Sequence, residues 1–390
     1  MLKINYSQKI DFKKNTFTKK ENPSFVEFTP GIDEIKSFAR KFNKYTNIII
    51  AGRGGSVTSF KAYWNALGKY KSKKSVFIAD TTDPYYLSFI KKSCSKKNTL
   101  LIVISKSGTT VDVIENYLYF SKFKSVFITT KNNNTLHRIA KEKKIPVLAH
   151  PEVGGRYSGF TAVAFLPAYL VGLNIEKICK GAFRAYVDFD HKKTKNLAYN
   201  LASYVNFFYK KGYTEIYMPF YSSQLFGFLE LFMQLIHESV AKNGKGPTLI
   251  PVLAPQSQHH SNQRYYGGKK NMQGVFIVID DFKNEEKYKV SSDIAGIKLR
   301  DKNLSVFSEI KLADSMRAEF LGNWKDSGKR KVPASAIHLA EISEESIGYL
   351  TGFFHYFTVY LSWLNNVDPY SQPEVETSKE ISFYSRFFKN

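Results

Sequence analysis

Cysteine is scarce in this chain. Its two residues, Cys94 and Cys179, lie far apart and in no metal-ligand spacing, which excludes a disulfide framework and a cysteine-based zinc site. Long apolar runs are missing too. The most apolar late stretch, Gly352 to Leu364, contains His355 and falls short of the about 20 residues that a bilayer-spanning helix needs. The polar start, Met1 to Lys14, has no apolar segment of the kind a secretory signal carries. These absences predict a soluble, cytoplasmic protein with no membrane partner. No low-complexity linker interrupts the sequence, so its halves are expected to pack together.

Acidic residues are also in short supply, 34 Asp and Glu against 57 Lys and Arg, for a formal charge of +23. Such an excess suits nucleic acid, a membrane surface or an anionic substrate. The basic residues, however, are scattered in twos and threes, and the longest run is only Lys329-Arg330-Lys331. No helix or ribbon carries a continuous basic stripe. A lysine-rich solvated surface is the simpler cause, no nucleic-acid partner is expected, and a small anionic substrate fits the excess without requiring it.

What is present is an alternation. Apolar strands are predicted at Asn47–Ala51, Ser75–Ile78, Thr99–Ile104 and Ser125–Thr129, and helical spacing at Asp33–Phe42, Tyr85–Lys92, Val111–Phe120 and Leu136–Lys141. Strands separated by helices of this length mean βαβ units and a parallel sheet. After bridging helices over Thr161–Val171, Ile175–Tyr186 and Thr194–Lys210, the pattern restarts. It runs through strand Thr214–Pro219, the hydroxyl turn Tyr221-Ser222-Ser223, helix Leu225–Ala241, and strands Thr248–Leu253, Gly274–Ile279 and Ser335–Leu339. A long helix, Glu344–Leu364, and a polar tail close the chain. The expected fold is α/β: two doubly wound parallel-sheet domains, 1–175 with an N-terminal arm over residues 1–29 and 190–342, then a C-terminal helical segment, 343–390.

The chemistry is densest where the strand Thr99–Ile104 meets Ser105-Lys106-Ser107-Gly108-Thr109-Thr110 and the helix beyond it. A helix N-terminus presents unpaired N–H groups and the positive end of a dipole, so it favours an anion. An ordinary N-cap accounts for one hydroxyl residue. Five polar positions around one glycine exceed that need and point to a phosphate cradle. A second glycine-rich turn, Gly52-Arg53-Gly54-Gly55-Ser56, follows the strand Asn47–Ala51. Ligands of open parallel sheets bind beyond the carboxyl ends of the strands, so both turns can face one pocket.

Four further stretches place polar groups where structure alone does not call for them. In Gly154-Gly155-Arg156-Tyr157-Ser158 the arginine is a permanent cation with a fork of donors, although taken alone a surface ion pair with a carboxylate is the favoured use of it. Gln234 and Glu238 share a face of an otherwise apolar helix. Glu238 can be a partly buried general base or an exposed partner of Lys242 at i+4. Gln256 to Arg264 includes His259 and His260 with no third ligand at metal spacing, which favours acid–base or hydrogen-bonding work over metal. Asp368-Pro369-Tyr370-Ser371-Gln372-Pro373 through Lys379 makes a rigid polar turn, and as a bare charge Lys379 would be a solvated one.

Taken in order, these stretches resemble the phosphoglucose isomerases, a family built from two sugar-isomerase (SIS) domains. The resemblance runs from about Ile48 to Lys379. Gly52 to Ser56 is similar to the family's GIGGS turn, with Arg53 where an apolar residue is usual, and Ser105 to Thr110 to its SKTFTT or SKSGTT loop. Gly154 to Ser158 is its GGRYS unchanged. Glu238 to Lys242 resembles ESxGK, with Ala241 for glycine, and the segments from Gln258 and Gln372 fit QHxxxQ and QPxVExxK.

The resemblance implies interconversion of glucose 6-phosphate and fructose 6-phosphate in glycolysis and gluconeogenesis, without metal or organic cofactor. It implies that Gly55, Ser56, Ser105, Lys106, Ser107 and Thr110 hold the phosphate, and that Gln234 and Gln372 bind sugar hydroxyls. Glu238 would be the isomerisation base and Arg156 the cation facing the enediolate. His259 and Lys379 would assist ring opening, with His260 the substitute if the loop is shifted by one residue. It also implies a homodimer in which the histidine comes from the neighbouring subunit. Two other readings remain open at this stage: an isomerase that also takes mannose 6-phosphate, and a regulatory SIS module without catalysis.

Overall fold

The structure, a computed structural model, describes residues 2–11, 23–27, 30–190 and 196–388. It opens on β1 (Leu2–Tyr6) and α1 (Ile32–Arg40). The first alternation then runs β2 (Asn47–Ala51), α2 (Thr58–Tyr63), β3 (Ser75–Ala79), α3 (Pro84–Ser93), β4 (Thr99–Ile104), α4 (Val111–Phe120), β5 (Lys124–Thr129), α5 (Thr135–Glu142) and β6 (Val147–Ala149). Helices α6 (Ala162–Leu170), α7 (Ile175–Asp188) and α8 (Leu197–Lys210) form the bridge. The second run is β7 (Glu215–Phe220), α9 (Leu229–Ser239), β8 (Thr248–Leu253), β9 (Met272–Ile279), the short β10 (Lys298–Leu299) and β11 (Lys302–Asn303), α10 (Leu312–Lys329) and β12 (Ala334–Leu339). Helices α11 (Glu344–Leu364) and α12 (Glu376–Ser385) follow.

The first sheet has the order β3-β2-β4-β5-β6 and every pairing in it is parallel. The second has the order β1-β12-β9-β7-β8, parallel except for β1, which lies antiparallel on β12 with Leu2 opposite Leu339. Among the parallel strands of both sheets the chain starts at an inner strand, β2 or β7, adds a neighbour on one side, then reverses to the other. The reversals fall between β2 and β4 and between β7 and β9. Crevices open at such switch points, beyond the carboxyl ends of the strands. The central strands explain why the sequence reads as unbroken apolar runs: all of β4 and all of β9 are buried, as parallel strands covered on both faces must be.

Helix α11 lies at the centre of the molecule. Ser343 caps it through a reciprocal pair with Ser346, and every residue from Ser346 to Trp363 is buried. A helix apolar on all sides is one enclosed by other elements, here α7, α8 and α9. Phe353, Phe354 and Phe357, each at most 1% exposed, contribute roughly 1.5–3 kcal/mol apiece by leaving water. Among the described residues no helix is long and apolar enough to cross a membrane.

Three features depart from the expectations. The N-terminal residues expected as an arm on the first domain instead supply, at Leu2–Tyr6, an edge strand of the second sheet. Residues 1, 12–22 and 28–29 of that expected arm and the expected helix start at Thr194 lie outside the described residues. The helix expected over Leu225–Ala241 is a 3₁₀ turn, Leu225–Phe228, followed by α9. Two helices were not anticipated. Only Phe320, Asn323 and Ser327 of α10 are buried, and no residue of α12 is, so neither leaves a strong apolar period in the sequence.

Candidate active site

The switch point of the first sheet carries the two polar turns. Beyond β4, Ser105 is buried, its Oγ 2.8 Å from Thr110 Oγ1 and accepting the Gly108 N–H at 3.1 Å. Gly108 has φ +64, a left-handed conformation that a side chain would strain. Thr110 occupies the N-cap of α4, yet its side chain accepts no bond from the helix backbone and turns to Ser105 and Ser107 instead. The hydroxyl cluster therefore does not cap the helix; the Val113 N–H donates to Asp112 Oδ1 at 3.0 Å, and the N–H groups ahead of it keep their capacity for an anion.

The turn after β2 meets the third motif backbone to backbone. A Cβ on Gly55 would lie 2.1 Å from the Gly155 carbonyl carbon, so only glycine fits there. Between these turns opens a cleft of about 450 Å³ whose walls include Ser56, Ser105, Lys106, Ser107, Thr110 and Gly155. Gln372 and Lys379 reach it from the C-terminal segment. Lys106 is 40% exposed, its Nζ 3.4 Å from Glu152 Oε2. Arg53 also lines the cleft, with Nε 2.5 Å from Asp112 Oδ2 and a hydrogen bond from Nη1 to the Asp80 carbonyl. The departure from the usual apolar residue is thus neutralised in part by a carboxylate in the first turn of α4.

Arg156 is 3% exposed and fully engaged. Its Nε donates to Ser239 Oγ at 2.8 Å, and Nη2 donates to the carbonyls of Pro369 at 2.8 Å and Ser371 at 3.1 Å. Its Nη1 donates to Glu238 Oε2 at 3.0 Å and to Gln372 Oε1. The other Glu238 oxygen accepts from Gln234 Nε2 at 3.0 Å, and Gln234 Oε1 in turn accepts from Thr58 Oγ1 at 3.1 Å. Glu238 is therefore not the partner of Lys242. The Lys242 ammonium donates to the Asp368 carbonyl and lies 3.5 Å from Ser371 Oγ, its pKa lowered by burial and then by the nearby Arg156. Both cations hold the 368–372 segment against the end of α9.

Sequence reasoning missed three contributors. Tyr157 OH lies 3.1 Å from Ser239 Oγ and 3.3 Å from the Pro369 carbonyl, Ser239 joins it to Arg156, and Thr58 orients Gln234. The signal was local for the first two, which are chain neighbours of Arg156 and Glu238. Thr58 gave none. His259 and His260 are exposed at the end of a 3₁₀ turn, Gln256–His259, and do not line the cleft. Lys379 projects from α12, paired with Glu376 at 2.7 Å and 62% exposed. The structure thus unites the two polar turns, Gln234, Glu238, Arg156 and Gln372, and leaves the histidines apart from them.

A model of the family described as phosphoglucose isomerase matches residues 24–272, more than half of the sequence. The chain belongs to the phosphoglucose isomerase family. Relatives agree along nearly the whole length. The glucose-6-phosphate isomerase of Methanocaldococcus jannaschii is 28% identical over 365 residues, 91% of this chain and 87% of that protein. That of Campylobacter jejuni is 29% identical over 370 residues, 90% and 87% respectively. Among solved structures, a protein described as hypothetical from Thermus thermophilus superposes with a TM-score of 0.82 at 21% identity, covering 94% of this chain and 89% of that one. A glucose-6-phosphate isomerase from Chlamydia trachomatis gives 0.75 at 18% identity, covering 91% and 72%. At those identities the two structures speak to the fold, a doubly wound α/β architecture shared across the family. The family match ends at 272, ahead of the segment that brings Gln372 and Lys379 to the cleft.

Proposed function

We propose that this family member is a glucose-6-phosphate isomerase that moves one proton between C2 and C1 of an open-chain sugar phosphate. One observation carries the reading: Gln372 both lines the cleft of the anion-binding turns and accepts from Arg156, which holds Glu238. A phosphate cradle and a carboxylate base thereby belong to one continuous site.

Ser56, Ser105, Lys106, Ser107, Thr110 and the N-terminus of α4 bind the phosphate, with Gly55 allowing close approach. Gln234 and Gln372 receive sugar hydroxyls. The carboxylate of Glu238 removes the C2 proton of glucose 6-phosphate, and the electron pair forms the C1–C2 double bond of a cis-enediolate. Charge then redistributes. Glu238 becomes neutral, the enediolate oxygens carry the negative charge, and the Arg156 guanidinium, fixed in place by Ser239 and the 369–371 carbonyls, stabilises the new anion without reorganising. The hydroxyl proton passes from O2 to O1 across the cis-enediolate, and Glu238 returns its own proton to C1 to yield fructose 6-phosphate. Nothing in this sequence consumes a cofactor.

Ring opening precedes these steps and needs a proton on the ring oxygen, a task assigned to His259 with Lys379 beside it. The family resemblance implies that a second copy of the chain supplies it and that the working unit is a homodimer; the exposure of His259 outside its own cleft fits that reading. The reading places the enzyme in the cytoplasm, in glycolysis and gluconeogenesis. The direct test is a coupled assay of purified protein on fructose 6-phosphate beside mannose 6-phosphate. Turnover of the first supports the assignment, comparable turnover of both broadens it, and turnover of neither refutes it.

A further inference from the structure

Beneath the loop that carries His259 lies a buried polar network that the proton transfer itself does not use. Its centre is Asn323, 6% exposed on α10. Asn323 Oδ1 accepts from Asn262 Nδ2 at 2.6 Å, and Asn323 Nδ2 donates to Tyr221 OH at 2.6 Å. Tyr266 OH donates to the Asn323 backbone carbonyl at 2.8 Å. One turn before, the Glu319 carbonyl accepts from Gln258 Nε2 at 3.2 Å, and one turn after, Ser327 Oγ lies 3.2 Å from Tyr266 OH. Positions 319, 323 and 327 share one helix face. From the sheet side, Tyr217 OH reaches Ser257 Oγ and Asn262 Oδ1, both at 3.2 Å.

The residues so gripped, Ser257, Gln258 and Asn262, bracket His259 on both sides. His259 itself is exposed, so its place in space is set by the backbone that carries it. A fully satisfied buried network rigidifies what it joins, whereas removing one member leaves its partners unpaired at a cost of about 1–3 kcal/mol.

We propose that Asn323 is a positioning residue for the isomerase reaction: through Asn262, and through Tyr221, whose OH lies 3.5 Å from Gln258 Nε2, it fixes the 256–263 loop so that His259 meets the ring oxygen of the sugar phosphate. The hydroxyl turn that begins at Tyr221 thereby acquires a use in the second sheet. The inference rests on the assignment of His259 made above. A group displaced by about 1 Å can lose on the order of 10²-fold in rate, which sets the scale of the effect.

The test is a mutant cycle on the full-length protein with fructose 6-phosphate as substrate. Asn323→Ala and Asn262→Ala are each combined with His259→Ala, and kcat, KM and the thermal midpoint are read for all. Asn262 is only partly buried, so its variant keeps the test open should Asn323→Ala fail to fold. The expected result is a fall in kcat of about tenfold to a hundredfold in either asparagine variant with KM little changed, and no further fall when His259 is already alanine. Slow His259→Ala beside wild-type kcat in both asparagine variants would overturn the positioning role alone. An equal, additive loss in the His259→Ala background would mean general loosening of the fold and would overturn it as well. A His259→Ala enzyme at the wild-type rate would overturn both this role and the ring-opening assignment.

Discussion

Arg156 Nη1 stands 3.0 Å from Glu238 Oε2, and the same nitrogen donates to Gln372. With Gln234 on its other oxygen, the Glu238 carboxylate is held at both ends while 29% of its side chain remains open. On the proposed mechanism, charge moves from this carboxylate to a substrate oxygen beside a cation held in place. Glu238→Gln keeps the size and one of the two acceptor oxygens but removes the basicity. General acid–base steps contribute about 10²–10⁴-fold, so kcat should fall at least about a hundredfold with KM little altered. Exchange of the C2 hydrogen with solvent deuterium should disappear while ring opening persists. Wild-type exchange in this variant would mean that another residue is the base.

Arg156→Lys should be far from conservative. Lysine offers one compact ammonium where the guanidinium spreads its donors over Ser239, Glu238, Gln372 and two tail carbonyls. A drop in kcat of about 10²–10³-fold is expected, the size seen when one donor to a developing oxyanion is lost. The 369–372 segment should also become more sensitive to limited proteolysis. Protease resistance equal to wild type would show that Lys242 alone secures the tail.

The sequence made half of this arrangement legible, and the reason is range. Residues 105–110 and the pair 234 and 238 declare themselves because their polar groups sit next to a buried strand or on one face of an apolar helix. The Arg156 bonds to the Pro369 and Ser371 carbonyls span 213 and 215 residues, and backbone acceptors have no sequence signature. Parallel strands such as β4 were legible as continuous apolar runs. Helix α10 was not, since only three of its residues are buried and two of those are polar, Asn323 and Ser327. Strand β1 is a five-residue edge with alternating burial and pairs with residues more than three hundred positions away. The placement of the histidine loop was not legible, because exposed residues take their position from whatever the loop rests on.

Lys106→Ala should raise KM more than it lowers kcat. The phosphate lies remote from the reacting carbons, so its contacts contribute mainly uniform binding. Lys106 is partly exposed and only loosely paired with Glu152, which leaves its charge available to a ligand. Inhibition by inorganic phosphate should weaken in parallel. An unchanged KM would remove Lys106 from the phosphate site.

Assembly can be tested by complementation. If His259 acts across a dimer interface, Glu238→Gln and His259→Ala chains, each slow alone, should form hybrids in which one site carries both defects and the other carries neither. Random mixing of a two-fold dimer then restores roughly a quarter of the wild-type sites. Light scattering under assay conditions should show a dimer throughout. No recovery on mixing, in chains shown to exchange, would place His259 in its own subunit's site or outside the mechanism.

His355 gives a prediction about stability rather than rate. It is fully buried in α11, its ring against Phe25, Tyr157 and Phe160 and its Nδ1 2.9 Å from Tyr186 OH. Burial depresses its pKa from 6.5 to about 3. In the unfolded chain the imidazole takes up a proton as the pH falls below about 6.5, while in the folded protein it stays neutral until about pH 3. The unfolded state therefore binds the extra proton across that window. The stability associated with neutral His355 is complete above pH 6.5 and is lost as the pH falls toward 3, at up to about 1.4 kcal/mol per pH unit. His355→Phe removes the titrating group while keeping an aromatic ring among aromatic neighbours. It also removes the nitrogen beside Tyr186 OH, which shifts absolute stability but not its pH slope. Urea unfolding of wild type and variant between pH 6.5 and 4.5 should show a slope shallower in the variant by about 1 kcal/mol per unit. Parallel lines would assign the acid sensitivity to the carboxylates and leave His355 without a part in it.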